Sequence, residues 1–416
     1  MGLNTGSTKK RFILDIGLSS IAYSLPVVAL YFFVQPGMAG RLGGPEYGIA
    51  LTLFTLTQFF DSTFIMSIGN VRLLRSSEDE TDADSRFFLI SLLITVCVVS
   101  LGALAVIEAL FGIFAFVKYS LMSVSFVAMA FFDYCAIEYR VQLNYRRIVA
   151  SNFFLVTGFG IGYVLFVCTG LWELIYIAGY VLGGLYVLIT IRPWKCKKEI
   201  HNVRSLLKQY FHYVGSNITT SLVAYGDRII LFPMLGAFSV SLYASAAVAS
   251  KVINFITVPL GNVMLSYLVK IESLSMSIKT AWKVLAILLL AMAVTCIAFL
   301  PVSRFLTSFL YPQWCDDSLQ YIPIIISAVC VSCYGNLLNT VALRFIQSSF
   351  QLKVSCVRLI TYLVSAITLT HLFGLYGFCF GLLIAESARF LMLAASLLLK
   401  ISREEHKKVT HDGACL

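Results

Sequence analysis

Groups able to bind or move charge stand where charge is costly in this chain. The stretch LVAYGDRIILF, Leu222 to Phe232, sets Asp227 beside Arg228 among apolar residues. Lys251, Asn254 and Asn262 share one helical face of the next apolar run. Glu386 and Arg389 are one turn apart in the last run, Gln58 and Asp61 are one turn apart in the second, and Asp133 stands mid-depth in the fourth. A charged side chain at the bilayer centre costs about 3 kcal/mol on insertion scales, so each of these groups needs a partner, a wet cavity or a function. Two chemistries suit them. Arg228, Lys251 and Arg389 can neutralise an anionic group such as a phosphate or pyrophosphate, with Arg binding in bidentate fashion. A carboxylate such as Asp61 can carry a coupling proton.

Consecutive helix residues point about 100° apart, so Asp227 and Arg228 must meet different neighbours. Asn217, Ser221 and Arg228 fall along one stripe of the seventh run, with Thr220 and Asp227 on the adjacent stripe. All three deep bases lie in the second half of the chain, whereas the first half holds the deep acids Asp61 and Asp133. This sorting predicts a central cleft with a basic wall and an acidic wall. Structural readings stand beside it. Glu386 with Arg389 also reads as an intrahelical pair, Asp227 as a lock on a neighbouring helix, and Asp61 as a hydrogen-bonded structural acid. Arg228 reads equally as a structural partner, and Arg358, near a span end, reads as a snorkelling side chain.

The elements that position these groups follow from composition. Of 416 residues, 59% are hydrophobic and 12% are charged. A soluble domain carries about 25% charged residues. Apolar runs of about twenty residues predict some twelve transmembrane helices, at 13–34, 48–70, 87–107, 119–138, 149–169, 172–191, 211–235, 241–266, 282–301, 321–343, 354–373 and 375–399. The runs are continuous and not alternating, which argues against a β-barrel. The first run follows KKR and precedes GMAG, yet it is too long for a signal-peptide core and reads as an uncleaved helix.

The net charge of +10 is a topology signal. Basic residues gather in every connection on one side: Lys9 to Arg11, Arg72 with Arg75 and Arg86, Arg140 with Arg146 and Arg147, Arg192 to Lys208, Lys270 with Lys279 and Lys283, Arg344 with Lys353, and Lys400 to Lys408. The other side has only Arg41, Lys118 and Arg304. The positive-inside rule therefore puts both termini in the cytoplasm, and a nucleic-acid partner is not implied. Eleven cysteines, mostly within spans, do not form a disulfide framework, and Cys330 and Cys333 read as apolar filler. His212 and His371 lack metal-ligand company, and no cofactor or metal is expected. Walker, GxGxxG, HExxH and GxSxG motifs are absent, which argues against a self-contained ATP-driven pump and against the commoner soluble enzyme chemistries. The acidic run from Glu78 to Asp84 reads as a solvated loop, and the polar tail ISREEHKKVTHDGACL as flexible.

The long basic connection from Arg192 to Lys208 divides the chain into two sets of six spans, 1–203 and 204–400, followed by a tail at 401–416. Setting Tyr47 against Tyr243 also sets Gln58 against Asn254, which suggests a parallel repeat. Transporters built from such repeats hold substrate between the halves and expose it alternately to each side.

Two stretches carry a resemblance. GRLGGPEYGIALTLFTLTQFFDSTFIMSIGNVRLLRS (Gly40 to Ser76) resembles the first loop and second span of polysaccharide flippases. YGDRIILFPMLGAFSVSLYASAAVASKVINFITVPLGNVM (Tyr225 to Met264) resembles their seventh and eighth spans. The family is the Wzx-type branch of the multidrug/oligosaccharidyl-lipid/polysaccharide (MOP) exporter superfamily. The chain departs from the pattern in the extra glycine of Gly43–Gly44 and in Ser241, where the turn usually has Gly. The resemblance implies an all-α fold of two six-helix bundles facing each other in a V. It implies movement of an undecaprenyl-pyrophosphate-linked oligosaccharide, an O-antigen, capsule or exopolysaccharide unit, to the periplasmic leaflet of the bacterial inner membrane, with or without ion coupling. A polysaccharide polymerase and a chain-length regulator are the implied partners. In that setting Lys251, Arg228 and Arg389 would neutralise phosphates, while Gln58, Asn254 and Asn217 would hydrogen-bond sugars. Two rivals remain open: a drug/cation antiporter of the same superfamily, and a membrane polymerase or glycosyltransferase. The latter has only the predicted external loop at 302–320, with Asp316 and Asp317, to work with.

Overall fold

The computed structural model describes residues 17–18, 20–76, 88–100, 102, 116–142, 144–191, 203–255, 257, 260–261, 264, 277–345 and 348–412. Asn262, the acidic run at 78–84, the basic stretch at 192–202, Trp194 and the residues before 17 lie outside this set. Every regular element among the described residues is helical. Helices satisfy their own backbone hydrogen bonds, which a hydrocarbon solvent cannot do for them. Among the described residues nine helices are long and apolar enough to cross a bilayer. One of them, Lys353–Arg403, is broken at Gly374, whose φ of 60° and ψ of −139° are non-helical. Two shorter apolar helices, Phe88–Ser100 and Ala237–Ala246, stand at the third and eighth expected positions.

In chain order the elements are α1 (Ser20–Leu42), α2 (Gly44–Leu73), α3 (Phe88–Ser100), α4 (Phe116–Val141), α5 (Tyr145–Thr169), α6 (Glu173–Ile191), α7 (Val203–Leu235), α8 (Ala237–Ala246), α9 (Ile278–Leu310), α10 (Ile322–Phe345), α11 (348–373) and α12 (375–412). The protein is a multi-pass all-α membrane protein. Its helices pack as two compact units, Met1–Phe238 and Ser239–Leu416. By sequence α7 opens the second half, yet it packs on α2 within the first unit.

In the first unit α5 and α6 meet backbone to backbone. Gly158 and Gly162 on α5 are spaced GxxxG, as are Gly179 and Gly183 on α6. A Cβ on Gly158 would press on Ala178 and Gly179, and one on Gly162 would press on Ile175. Lipid tails are as apolar as leucine, so such close packing, and not water exclusion, is what joins membrane helices. Aromatic rings brace the contact. Phe159 meets Tyr180 edge-on at 5.8 Å, and Tyr176 stacks on Phe54 of α2 at 3.9 Å. Asn152 ties α5 to α1 by donating to the Ala22 carbonyl at 2.8 Å. Gly170, with φ 76°, closes α5 in the left-handed conformation and sends the chain into α6. On α2 and α4 Arg72 pairs with Glu138 and lies over the Tyr134 ring.

In the second unit α11 and α12 form a hairpin around Gly374. A Cβ on Gly377 would meet the Leu369 backbone, and one on Gly381 would meet Ala366. Leu338, Ala342, Phe390, Leu393 and Leu397 form a core with Ala281 and Leu285 of α9. The opposite stripe of α9, with Ile287, Leu290, Val294 and Ile297, is exposed. Apolar residues exposed at this spacing mark a lipid-facing surface.

Three expectations need correction. The predicted loop at 302–320 is largely helical. α9 runs through Pro301 to Leu310, followed by the short helices Pro312–Trp314 and Cys315–Leu319. Proline removes one donor but need not break a packed membrane helix, and buried Ser303 and Thr307 anchor this extension, Thr307 donating to the Ser245 carbonyl at 3.2 Å. The tail expected to be flexible continues α12 to Asp412. Its Glu405 accepts from the first backbone N–H of α9, that of Ile278, at 3.2 Å, capping that helix. Tryptophan near a span end is expected to anchor at the membrane interface, yet Trp172, just before α6, is 2% exposed and packs edge-on against Tyr176. Trp282 does lie exposed.

Candidate functional site

The polar groups gather in three places. The first is the contact of α2 with α7. Arg228 is buried and donates from Nη1 to Thr55 Oγ1 at 2.8 Å. Ser221 and Ser62 share a 2.7 Å hydrogen bond, and Asn217 donates from Nδ2 to Ser67 Oγ at 2.9 Å. These α7 residues are the stripe read from the sequence, and the contact identifies its partners. Asp227 turns aside, accepting from the backbone N–H of Arg228 at 2.8 Å. Thr220, on its stripe, donates to the Asn217 carbonyl.

The second place is the acid pair. Asp61 opens a wide helical turn, Asp61–Ile65, in which the Met66 N–H reaches back to the Asp61 carbonyl. Such i→i+5 turns recur at functional sites. The carboxyl groups of Asp61 and of Asp133 on α4 lie within electrostatic reach of each other. Tyr180 of α6 and Tyr225 of α7 are within electrostatic reach of both acids. Asp61 Oδ1 and, one turn earlier, Gln58 Oε1 are buried with no hydrogen-bond partner among the described residues.

The third place is in the second unit. Glu386 is buried and accepts from Arg358, whose Nε lies 2.9 Å from Oε1. Arg389 Nη1 is 3.7 Å from the other oxygen of Glu386, beyond a hydrogen bond, while its Nη2 donates to Asn336 Oδ1 at 2.8 Å. Arg358 also reaches Ser332. Its expected snorkelling is therefore corrected, because α11 folds back on α12 and offers Glu386 within its reach. The intrahelical pair of Glu386 and Arg389 exists but is the looser of the two. Lys251 is partly buried and follows a tightened turn in which Ser250, Lys251 and Val252 bond three residues back to Ala247, Val248 and Ala249. Asn254, one turn on, accepts from Cys333 Sγ at 3.2 Å.

Lys251, Asn254, Glu386 and Arg389 thus share the second unit, whereas Gln58, Asp61, Asp133, Asn217, Asp227 and Arg228 belong to the first. Two apolar clefts of the first unit, about 510 and 820 Å³, are lined by none of these ten residues. Sequence reasoning missed Thr55, Ser62, Ser67 and Asn336 as partners. Thr55 and Ser62, seven residues apart, share a regular helical face, whereas Ser67 joins it only through the wide turn at Asp61. No group of three or more His, Cys, Asp or Glu among the described residues could hold a metal.

No family model matches the chain, and no curated protein matches it in sequence. Solved structures do match its fold. The inward-facing conformation of a multidrug resistance MATE family transporter of the MOP superfamily aligns with a TM-score of 0.68 and 14% identity, over 93% of this chain and 99% of that one. A MATE structure in the straight conformation aligns with a TM-score of 0.60 and 14% identity, over 95% and 97%. A mutant of the Vibrio cholerae MATE transporter VcmN aligns with a TM-score of 0.55 and 14% identity, over 96% and 98%. The fold is that of MATE transporters.

Proposed function

We propose that the chain is a MOP-superfamily exporter that works by alternating access and carries an undecaprenyl-pyrophosphate-linked oligosaccharide across the bacterial inner membrane, with both termini cytoplasmic. The observation that carries the substrate reading is the cluster Arg358–Glu386–Arg389. Two guanidinium groups share one carboxylate, and Arg389 and Glu386 are both buried. An excess positive charge in low dielectric is costly alone and is offset by an anion. A phosphorylated cargo supplies that anion, and Lys251 in the same unit adds to the attraction. Gln58, Asn254 and Asn217 are the proposed sugar-facing amides, although Asn217 and Asn254 already bond Ser67 and Cys333.

A second reading, a drug/cation antiporter, is favoured by the acid pair Asp61–Asp133 with Tyr180 and Tyr225 near it, and by the multidrug transporters that share the fold. Proteoliposomes separate the two. Flipping of a fluorescent undecaprenyl-pyrophosphate saccharide, with no uptake of ethidium, supports the first. Proton-driven ethidium movement without flipping overturns it in favour of the second.

A further inference from the structure

The α2–α7 contact is a ladder with its register written into the helix. Its rungs are Thr55–Arg228, Ser62–Ser221 and Ser67–Asn217. From the first rung to the second both helices advance by seven residues, about two α-helical turns. From the second to the third α7 advances by four residues, but α2 advances by five. Two regular antiparallel helices cannot keep facing each other across such a mismatch, because one extra residue rotates the next side chain about 100° away. The wide turn Asp61–Ile65 overlaps that five-residue step, and its i→i+5 bond from Met66 to Asp61 absorbs the extra residue. Ser67 thereby returns to the face that Ser62 occupies.

The ladder joins unequal members. Of the apolar window of α2, 61% is buried, against 22% for α7. α7 therefore leaves most of its apolar window uncovered and meets α2 along one stripe of small hydroxyl and amide groups and one guanidinium. Hydrogen bonds between membrane helices are individually weak, since a separated group finds other partners. A seam of this kind can close in one register and open without leaving a large buried surface behind. α7 is also the first helix of the second half in sequence, though it is packed with the first.

We propose that this ladder is a latch, closed in the conformation described here, which α7 releases from α2 during each transport cycle. The inference rests on the alternating-access reading but not on the cargo. Its test uses the full-length protein with Ser62→Cys and Ser221→Cys, the native cysteines being replaced by alanine. Peptide mapping reads the disulfide, and transport is followed with both ethidium and the fluorescent lipid-linked saccharide. The expected result is rapid disulfide formation on oxidation, at least a tenfold loss of transport, and recovery with dithiothreitol. A disulfide-linked protein that transports at the rate of its reduced form overturns the latch. Failure of the disulfide to form overturns the ladder itself.

Transport of neither cargo, even before oxidation, would sink the functional reading, and a second arm then still decides the register. Deleting Phe64 from the wide turn should convert it to a regular α-turn. The Ser62–Ser221 disulfide should survive, as should a Ser67→Cys to Asn217→Cys disulfide. Deleting Leu56, between the first two rungs, should abolish both. Equal sensitivity to the two deletions overturns the role of the turn, and with it the latch.

Discussion

Arg358 donates from Nε to Glu386 Oε1 at 2.9 Å across the α11–α12 hairpin. The pair is separated by 28 positions in sequence, and the turn at Gly374 lies between them. At about 1.5 Å rise per residue on each side of that turn, their backbones differ in depth by about 6 Å, a gap that the long Arg358 side chain spans. Arg389 is left with one bond to Asn336 and a looser approach to the same carboxylate.

Removing the shared carboxylate should therefore cost more than removing either base. Glu386→Ala leaves two guanidinium groups with no acid between them, and breaking a buried pair costs about 3–5 kcal/mol. Arg358→Ala leaves Glu386 with Arg389 one turn away, and the loss should be smaller. Thermal unfolding in detergent, followed by intrinsic fluorescence, checks the order. A Glu386→Ala protein as stable as Arg358→Ala contradicts it.

The α5–α6 contact offers a paired test. A Cβ at Gly158 would lie against the backbone of Ala178 and Gly179, which cannot yield as a flexible side chain can. Gly158→Ala should lower stability by about 1–3 kcal/mol through overpacking. Gly160, two residues away, has nothing within 4 Å of its Cβ position. Gly160→Ala should unfold at the wild-type temperature or slightly above. Equal melting temperatures for the two variants contradict the packing argument.

Hydropathy located the helices because every span must be apolar whatever it packs against. It missed the extension of α9 past Pro301, since proline and polar side chains there look like a loop until Thr307 finds the Ser245 carbonyl. The stripe Asn217–Ser221–Arg228 was legible as a face, because helical periodicity is local. Its partners were not, because Thr55, Ser62 and Ser67 line up only once the wide turn at Asp61 is known. Arg358 was misread for the same reason: its partner is set by the hairpin and not by spacing along one helix. The GxxxG pairs of α5 and α6 are legible in the sequence as well.

The orientation can be checked by cysteine accessibility. In a protein with its native cysteines replaced, Asp316→Cys, exposed between α9 and α10, should react with an impermeant maleimide in intact cells. Arg403→Cys, exposed near the end of α12, should react only after permeabilisation. The positive-inside rule demands this pattern, and the reverse pattern would put the termini outside.

Lys251 follows the tightened turn at Ala247–Ser250 and is held one turn from Asn254, which is itself fixed to Cys333. Lys251→Ala should abolish surface polysaccharide in a cell that depends on this chain for export, with protein in the membrane at the wild-type level. Lys251→Arg should restore part of it, because the charge is kept. Immunoblots of membrane and of surface glycan read both at once, and normal glycan from Lys251→Ala would remove the lysine from the substrate site.

Asp61 and Asp133 act as one group if a single proton lies between them. Groups that work as a unit are non-additive, so removing one costs about as much as removing both. Asp61→Asn and Asp133→Asn should each abolish the dependence of transport on a proton gradient, and the double variant should be no worse than either. Two independent structural acids would behave otherwise: their effects on stability would add, and the gradient dependence would survive in each single variant. The measurement is transport into proteoliposomes at fixed internal pH with the external pH stepped. Because Asp61 sits in the same turn that sets the ladder's register, the double variant should also be assayed for the Ser62–Ser221 disulfide. An unchanged disulfide with lost coupling separates the acids' chemistry from their support of the helix.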